Sequence, residues 1–242
     1  MLTHRIIPVL LHNGRDLVKG ERFASWRVVG VPAQAMAVHN RRCVDELILL
    51  DVSATREGRK PSFDLVKRVA DDFACPLAVG GGIGSVEDVR ELLRSGADKV
   101  VIGTRYDLIW AITHEFGSQA VVASVDYAKD EAYHHSGQER WGCNPVDLAL
   151  RAANLGAGEI LLNSISLDGT MKGYDLETLR QVSAAVNVPV VACGGCSGYE
   201  DMGRALNAGA SAVAAGALFQ FTHHTPKGAV KHLKERGHAV RA

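Results

Sequence analysis

Several things are missing from this sequence. It has no net charge, because 27 Lys and Arg balance 27 Asp and Glu. That balance argues against bulk binding to nucleic acid or to a membrane surface. No apolar run approaches the roughly 18 residues needed to cross a bilayer, and no basic stretch followed by an apolar one opens the chain. Neither a membrane span nor a leader is therefore expected. Nor is there a disulfide framework: five cysteines, odd in number and irregularly spaced, read as reduced thiols. These absences lead to the expectation of a soluble cytoplasmic protein.

What is present is an ordinary globular balance, 47% hydrophobic and 22% charged over 242 residues, enough for a sizeable core. Eight short apolar runs stand at 4–11, 45–52, 75–81, 99–103, 120–126, 158–164, 188–194 and 211–217. They are mostly continuous rather than alternating, as parallel strands buried on both faces should be. Helical patterns lie between them at 63–73, 86–96, 176–186 and 199–209, with Gly96 and Gly209 where C-caps belong. The alternation predicts an α/β fold, a (β/α)8 TIM barrel forming one domain over 1–242. A doubly wound sheet is the rival.

Internal repetition favours the barrel. Glu46 and Glu159, Pro76 and Pro189, Gly81-Gly82 and Gly194-Gly195, Glu87-Asp88 and Glu200-Asp201, Gly96 and Gly209, and Gly103 and Gly216 all stand 113 positions apart. The chain reads as two repeated half-barrels, about 1–118 and 119–242. Near the strand that opens each half the offset drifts to 115, setting Leu11 opposite Asp126.

In such a barrel the chemistry belongs at the C-terminal ends of the strands. That face collects Leu11, His12, Asp51, Gly81, Gly82, Gly103, Thr104, Asp126, Asn163, Ser164, Asp168, Gly169, Thr170, Gly194, Gly195 and Gly216. Two glycine turns, each followed by a helix, offer backbone N–H groups to anions, and a repeated pair suits a substrate with a phosphate at each end. The alternative is tight strand–helix turns with no ligand. Asp51 and Asp126 end apolar strands, where burial raises a carboxyl pKa towards useful values. Each is equally readable as a structural carboxylate. Cys193 and Cys196 have CxxC spacing without a second pair, so they read as part of a glycine turn. His134-His135 and His223-His224 are expected in solvated loops. No metal and no cofactor is expected. At the opposite mouth Arg5, Glu46, Lys99 and Glu159 begin strands, and two acids with two bases suggest a ring of salt bridges.

The segments "RIIP", "LVKG", "DELILLD", "VGGGI", "GADKV", "FGSQ", "GAGEILL", "DGT" and "GYDL" together resemble the cyclase subunit family of imidazole glycerol phosphate synthase (HisF) over nearly the whole chain. The resemblance implies a barrel that docks a HisH-like glutaminase at its N-terminal face. Ammonia would pass through it to a phosphorylated small molecule at the other end. It implies that Arg5, Glu46, Lys99 and Glu159 gate the ammonia path, that Asp98 and Gln119 belong to family positions on or near the docking side, and that Lys19 of "LVKG" joins the substrate-binding set.

The departures matter equally. The family ends strand 1 in a catalytic Asp, paired with a second at the position of Asp126; here the first is Leu11. Asn163 replaces a Thr, Gly103 an Asn, and Cys193 and Gly216 each a Ser. These departures are similar to a side branch that modifies nucleotide-linked surface sugars with acetamidino groups, alongside a separate sugar amidotransferase. The expectation is that the barrel delivers ammonia for such an amidation, with Asp126 and Asp51 handling the ammonium proton or the acceptor. Two alternatives stay open: a cyclase of histidine biosynthesis in which His12 or Asp51 replaces the missing acid, and a non-catalytic activator of the glutaminase.

Overall fold

The computed structural model describes residues 3–42, 44–71 and 73–241. Strands β1 (Arg5–His12), β4 (Leu47–Asp51), β5 (Leu77–Gly80), β6 (Lys99–Ile102), β7 (Val121–Ala128), β10 (Glu159–Ser164), β11 (Val190–Cys193) and β12 (Ala212–Ala215) pair in parallel, and β10 pairs with β7 to close the ring. Each coincides with one of the eight apolar runs. The closed parallel barrel excludes the doubly wound sheet.

Successive side chains on a strand point to opposite faces. Ile7, Val9 and Leu11 accordingly fill the barrel interior with Ile48, Val101 and Leu161. Ile6 and Leu10 face outward, into the larger core between barrel and helices. Both faces are dry, which is why the runs are continuously apolar.

Around the barrel lie α1 (Pro32–Arg41), α2 (Phe63–Ala70), α3 (Val86–Arg94), α4 (Ile109–Phe116), α5 (Pro145–Asn154), α6 (Leu176–Ala185), α7 (Tyr199–Asn207), α8 (Ala217–Phe221) and α9 (Pro226–Glu235). Local chemistry sets their ends. Ser85, Asn144, Asp175 and Thr225 each accept a backbone N–H from the first turn they cap, and Pro145 and Pro226 open their helices. Gly96 and Gly209 take positive φ directly after α3 and α7, as expected of C-terminal glycines. The helix predicted over 63–73 ends at Ala70, and Asp72 lies outside the described residues.

Two antiparallel hairpins were not anticipated. β2 (Leu17–Glu21) pairs with the end of β1 and with β3 (Ala24–Gly30). β8 (Glu131–His134) pairs with the end of β7 and with β9 (Glu139–Arg140). Their short, charged segments lack the two-sided apolar run of a barrel strand. Cys143, Cys193 and Cys196 are free thiols, and Cys43 lies outside the described residues. Among the described residues no helix is long and apolar enough to cross a membrane.

Candidate active site

At the C-terminal mouth the strand ends surround a cavity of about 130 Å³. Its wall takes Leu11 from β1, Lys19 from β2, Gly81 and Gly82 after β5, Gly103 and Thr104 after β6, and Asp126 from β7. Asp51, Asn163, Asp168, Gly169, Cys193, Gly194, Gly195 and Gly216 also line it. Ser164 and Thr170 do not line it: Ser164 is buried, and the Thr170 hydroxyl donates to the Leu167 carbonyl.

Asp126 is one of three carboxyls on the wall, with Asp51 and Asp168. Burial pushes its carboxyl up to about 6; hydrogen bonds from Ser124 (3.0 Å) and Asn163 (3.3 Å) oppose that rise, and the nearby Asp168 charge adds to it. Ser124 was missed by the sequence reading. It stands two residues before Asp126 on one strand, and a period of two puts both side chains on the same face. Asn163 keeps its Oδ1 buried without a partner among the described residues, so it presents an unsatisfied acceptor at the cavity wall.

Leu11 faces inward. It is buried with the barrel-interior residues and lines the cavity, so the wall position opposite Asp126 carries hydrocarbon. The two residues expected to substitute for an acid there are otherwise engaged. The Asp51 carboxylate, 1% exposed, pairs with Arg59 at 3.1 Å and accepts from the backbone of Ser53 and Ala54. It organises the loop after β4. His12 is buried outside the cavity wall, where its Nδ1 accepts from the Gly14 N–H. Burial lowers its pKa, with Arg59 adding to the effect against the pull of Asp51. Arg59, which fixes this arrangement, had no motif to announce it.

Lys19 and Asp168 form a buried pair, Nζ to Oδ1 2.9 Å, tying the first hairpin to the loop after β10. The Lys19 ammonium lies 3.9 Å from where a Cβ on Gly216, at the end of β12, would stand. Gly81, Gly82, Gly194 and Gly195 all have positive φ, between 75° and 101°. A Cβ on Gly81 would lie 2.2 Å from the Asp51 carbonyl and one on Gly195 2.1 Å from the Gly173 carbonyl, so packing alone requires these glycines. Gly103 differs: its Cβ would meet nothing closer than Ser124 at 3.6 Å, and the missing side chain is open cavity beside Asp126. Burial pushes the Cys193 thiol up to about 12 and Cys196 up to about 11, which leaves both protonated and poor ligands.

At the opposite mouth Lys99 bridges Glu46 and Glu159 at 3.0 Å each, and Arg5 hydrogen-bonds the same two carboxylates. Burial works to raise the Glu159 carboxyl, but Arg5 and Lys99 outweigh it and hold the group low. Asp98 is exposed on this side and caps the Leu77 N–H at 2.8 Å; Gln119 is exposed and donates to the Phe116 carbonyl.

The histidine pairs differ from their expected solvated state. His134 is the last residue of β8, and both it and His135 are half-buried. In the other pair His223 is exposed and His224 half-buried.

Residues 5–225 match the family model described as histidine biosynthesis protein. A relative from Thermobifida fusca is 41% identical over 254 residues, covering 99% of each chain. One from Dictyoglomus thermophilum is 42% identical over 250 residues, covering 100% of this chain and 99% of its own. One from Streptomyces coelicolor is 44% identical, covering 99% of each. All three are named imidazole glycerol phosphate synthase subunit HisF. These full-length likenesses overturn the expectation of a sugar-amidating subunit. That expectation rested on a few substitutions at strand ends, including Leu11 and Asn163, and the similar proteins carry the name of the histidine-pathway subunit.

Proposed function

Since the chain belongs to the histidine biosynthesis protein family, we propose that it is the cyclase-type subunit of an imidazole glycerol phosphate synthase, closing an imidazole ring on a bis-phosphorylated ribulosyl aminoimidazole substrate with ammonia. The observation that carries this reading is Asp126: a carboxyl raised to about 6, hydrogen-bonded on its own strand and the next, in a cavity flanked by two glycine turns.

Condensing ammonia with a ribulosyl carbonyl forms a C–N bond and expels the carbonyl oxygen as water. Two protons must leave nitrogen and two must reach the oxygen that departs as water, one in forming the carbinolamine and one in its dehydration. At neutral pH a carboxyl with a pKa near 6 starts mostly ionised, takes a proton from nitrogen, and is then acidic enough to pass it to oxygen in each of the two stages. Asp126 performs both transfers in turn, because Leu11 provides no second acid. The Asn163 amide holds the carboxylate in place, and its free Oδ1 accepts from the incoming N–H. The glycine turns supply backbone N–H groups for the two phosphates, and Lys19 adds a positive charge to the cavity wall near Gly216. The Arg5, Glu46, Lys99 and Glu159 cluster is the entry for ammonia, and a glutaminase subunit docks over it near Asp98 and Gln119.

A second reading rests on Leu11 itself. A cavity in which Asp51 and Asp168 are paired with Arg59 and Lys19, and Leu11 stands opposite Asp126, is also what a barrel that only binds the substrate and activates its glutaminase would keep. An ammonium-dependent cyclase assay on the purified protein separates them. Ring closure that disappears in Asp126→Asn supports catalysis. A folded protein that binds the bis-phosphate but forms no ring supports activation alone.

A further inference from the structure

The second hairpin carries a group of side chains that the proposed reaction does not use. His134 Nδ1 and His135 Nδ1 lie 2.7 Å apart. Glu139 Oε2 lies 3.8 Å from the first and 3.4 Å from the second. All three ligand atoms fall within 4.8 Å of one another.

This convergence is not what a strand gives by default. Consecutive side chains of a β-strand point to opposite faces. Here His135 and Ser136 adopt φ of +48° and +56°, folding the chain back so that His135 turns onto the side of its neighbour. β9 then returns Glu139 as the cross-strand partner of His134. The His134 ring is held against Trp141, with ring centroids 4.6 Å apart.

Two arrangements satisfy this point: one neutral imidazole donates its Nδ1–H to the other, or a metal cation takes both lone pairs together with the carboxylate. Two imidazole Nδ1 atoms at hydrogen-bond distance need one shared proton; with no proton on either, two lone pairs and a carboxylate face each other. Two imidazoles and a carboxylate suit zinc and its neighbours in the first transition row, with Zn–N and Zn–O bonds of about 2.0–2.2 Å. A tetrahedral site with those bonds has ligand–ligand edges of about 3.4 Å. The three edges here, 2.7, 3.4 and 3.8 Å, straddle that value. None of the three residues lines the cavity, so a metal here would not touch substrate.

Its effect would fall on the hairpin. Between the ligands runs the tip Ser136–Gln138. The Ser136 hydroxyl donates to the Val52 carbonyl and lines the cavity, and the His135 N–H donates to the Thr104 hydroxyl. Gly137 sits against Phe23 of the first hairpin. Joining the two histidines to Glu139 would fasten both ends of this tip. We propose that His134, His135 and Glu139 form a divalent transition-metal site, with zinc the best fit, that clasps the second hairpin over the cavity mouth.

The test uses the full-length protein stripped with a chelator, then titrated with Zn²⁺ by calorimetry and with Co²⁺ by visible absorption. One equivalent binds. His135→Asn and Glu139→Gln, at half-buried and exposed positions, each weaken binding at least about tenfold. A His223→Ala/His224→Ala double variant leaves it unchanged. Zn²⁺ also slows trypsin cleavage after Arg140 in the parent and not in Glu139→Gln. No binding at 100-fold molar excess, or one-equivalent binding unchanged in both ligand variants, overturns the site. Binding without protection at Arg140 overturns the clasp. Melting curves check that each variant is folded.

Discussion

Asn163 on β10 and Asp126 on β7 are register partners in adjacent parallel strands, and the Asn163 amide donates to Asp126 Oδ1 across 3.3 Å. Barrel closure therefore sets the geometry of the Asp126 carboxyl directly, because the β7–β10 seam completes the ring.

The raised carboxyl makes Asp126 a liability to the fold at neutral pH. Its protonated form is favoured in the native state, so the native protein binds more protons than the unfolded chain between about pH 4 and pH 6. Stability falls as pH rises through that window, and the loss is complete above it. Asp126→Asn should melt at a higher temperature than the parent at pH 7.5, by on the order of 1–3 kcal/mol in stability. The advantage should shrink towards zero near pH 4. A variant no more stable at pH 7.5 than at pH 4, relative to the parent, would refute the buried charge. Ammonium-dependent turnover, with free ammonia held constant, should fall below about pH 6 as Asp126 protonates.

Leu11→Asp places a second carboxyl on the cavity wall opposite Asp126. A positioned acid or base contributes typically about 10²–10⁴-fold. Ring closure by this variant should exceed that of the parent at least about tenfold, read as kcat with ammonium salts. An unchanged kcat would mean that Leu11 does not stand where the missing transfer takes place.

Gly195 and Gly103 are both glycines at the cavity wall, yet their alanine variants should part company. Gly195→Ala combines φ of +99° with a Cβ 2.1 Å from a carbonyl oxygen, and should cost about 2 kcal/mol or more in urea unfolding. Gly103→Ala meets only ordinary contacts and should unfold within about 0.5 kcal/mol of the parent. Its effect should appear in KM, because the methyl group enters space beside Asp126.

Lys99→Ala leaves Glu46 and Glu159 with Arg5 alone. Breaking a buried pair is expensive, and Lys99 is about one-fifth exposed, so roughly 1–3 kcal/mol of stability should go. If the cluster admits ammonia, glutamine hydrolysis by a docked glutaminase should then outpace product formation. Equal release of glutamate and product in the variant would separate the cluster from ammonia passage.

The barrel was legible because its interior and exterior both demand apolar side chains, so each strand announced itself as a continuous run. The glycine turns were legible for a similar reason, since the offset of 113 repeats them. The environment of each acid was not legible. Asp51 and Asp126 end similar runs, but only the fold reveals that Arg59, eight residues on from Asp51, neutralises the first while the second is left to its hydrogen bonds. Sequence spacing records neither event. The family likeness was legible; the sugar-modifying branch was read from individual substitutions, and full-length identity outweighs them. The His134–His135 pair looked like loop because positive φ at a bulky residue has no residue-type signature.

The hairpins leave β1 and β7, which are four strands apart around an eight-stranded ring. They therefore start from opposite sides of the mouth and meet where Phe23 touches the position of Gly137. One hairpin holds Lys19 close to Gly216 after β12; the other rests on Thr104 after β6. A ligand lying across the mouth would therefore run beneath both hairpins, and because Phe23 meets Gly137, neither hairpin can swing away without losing its contact with the other.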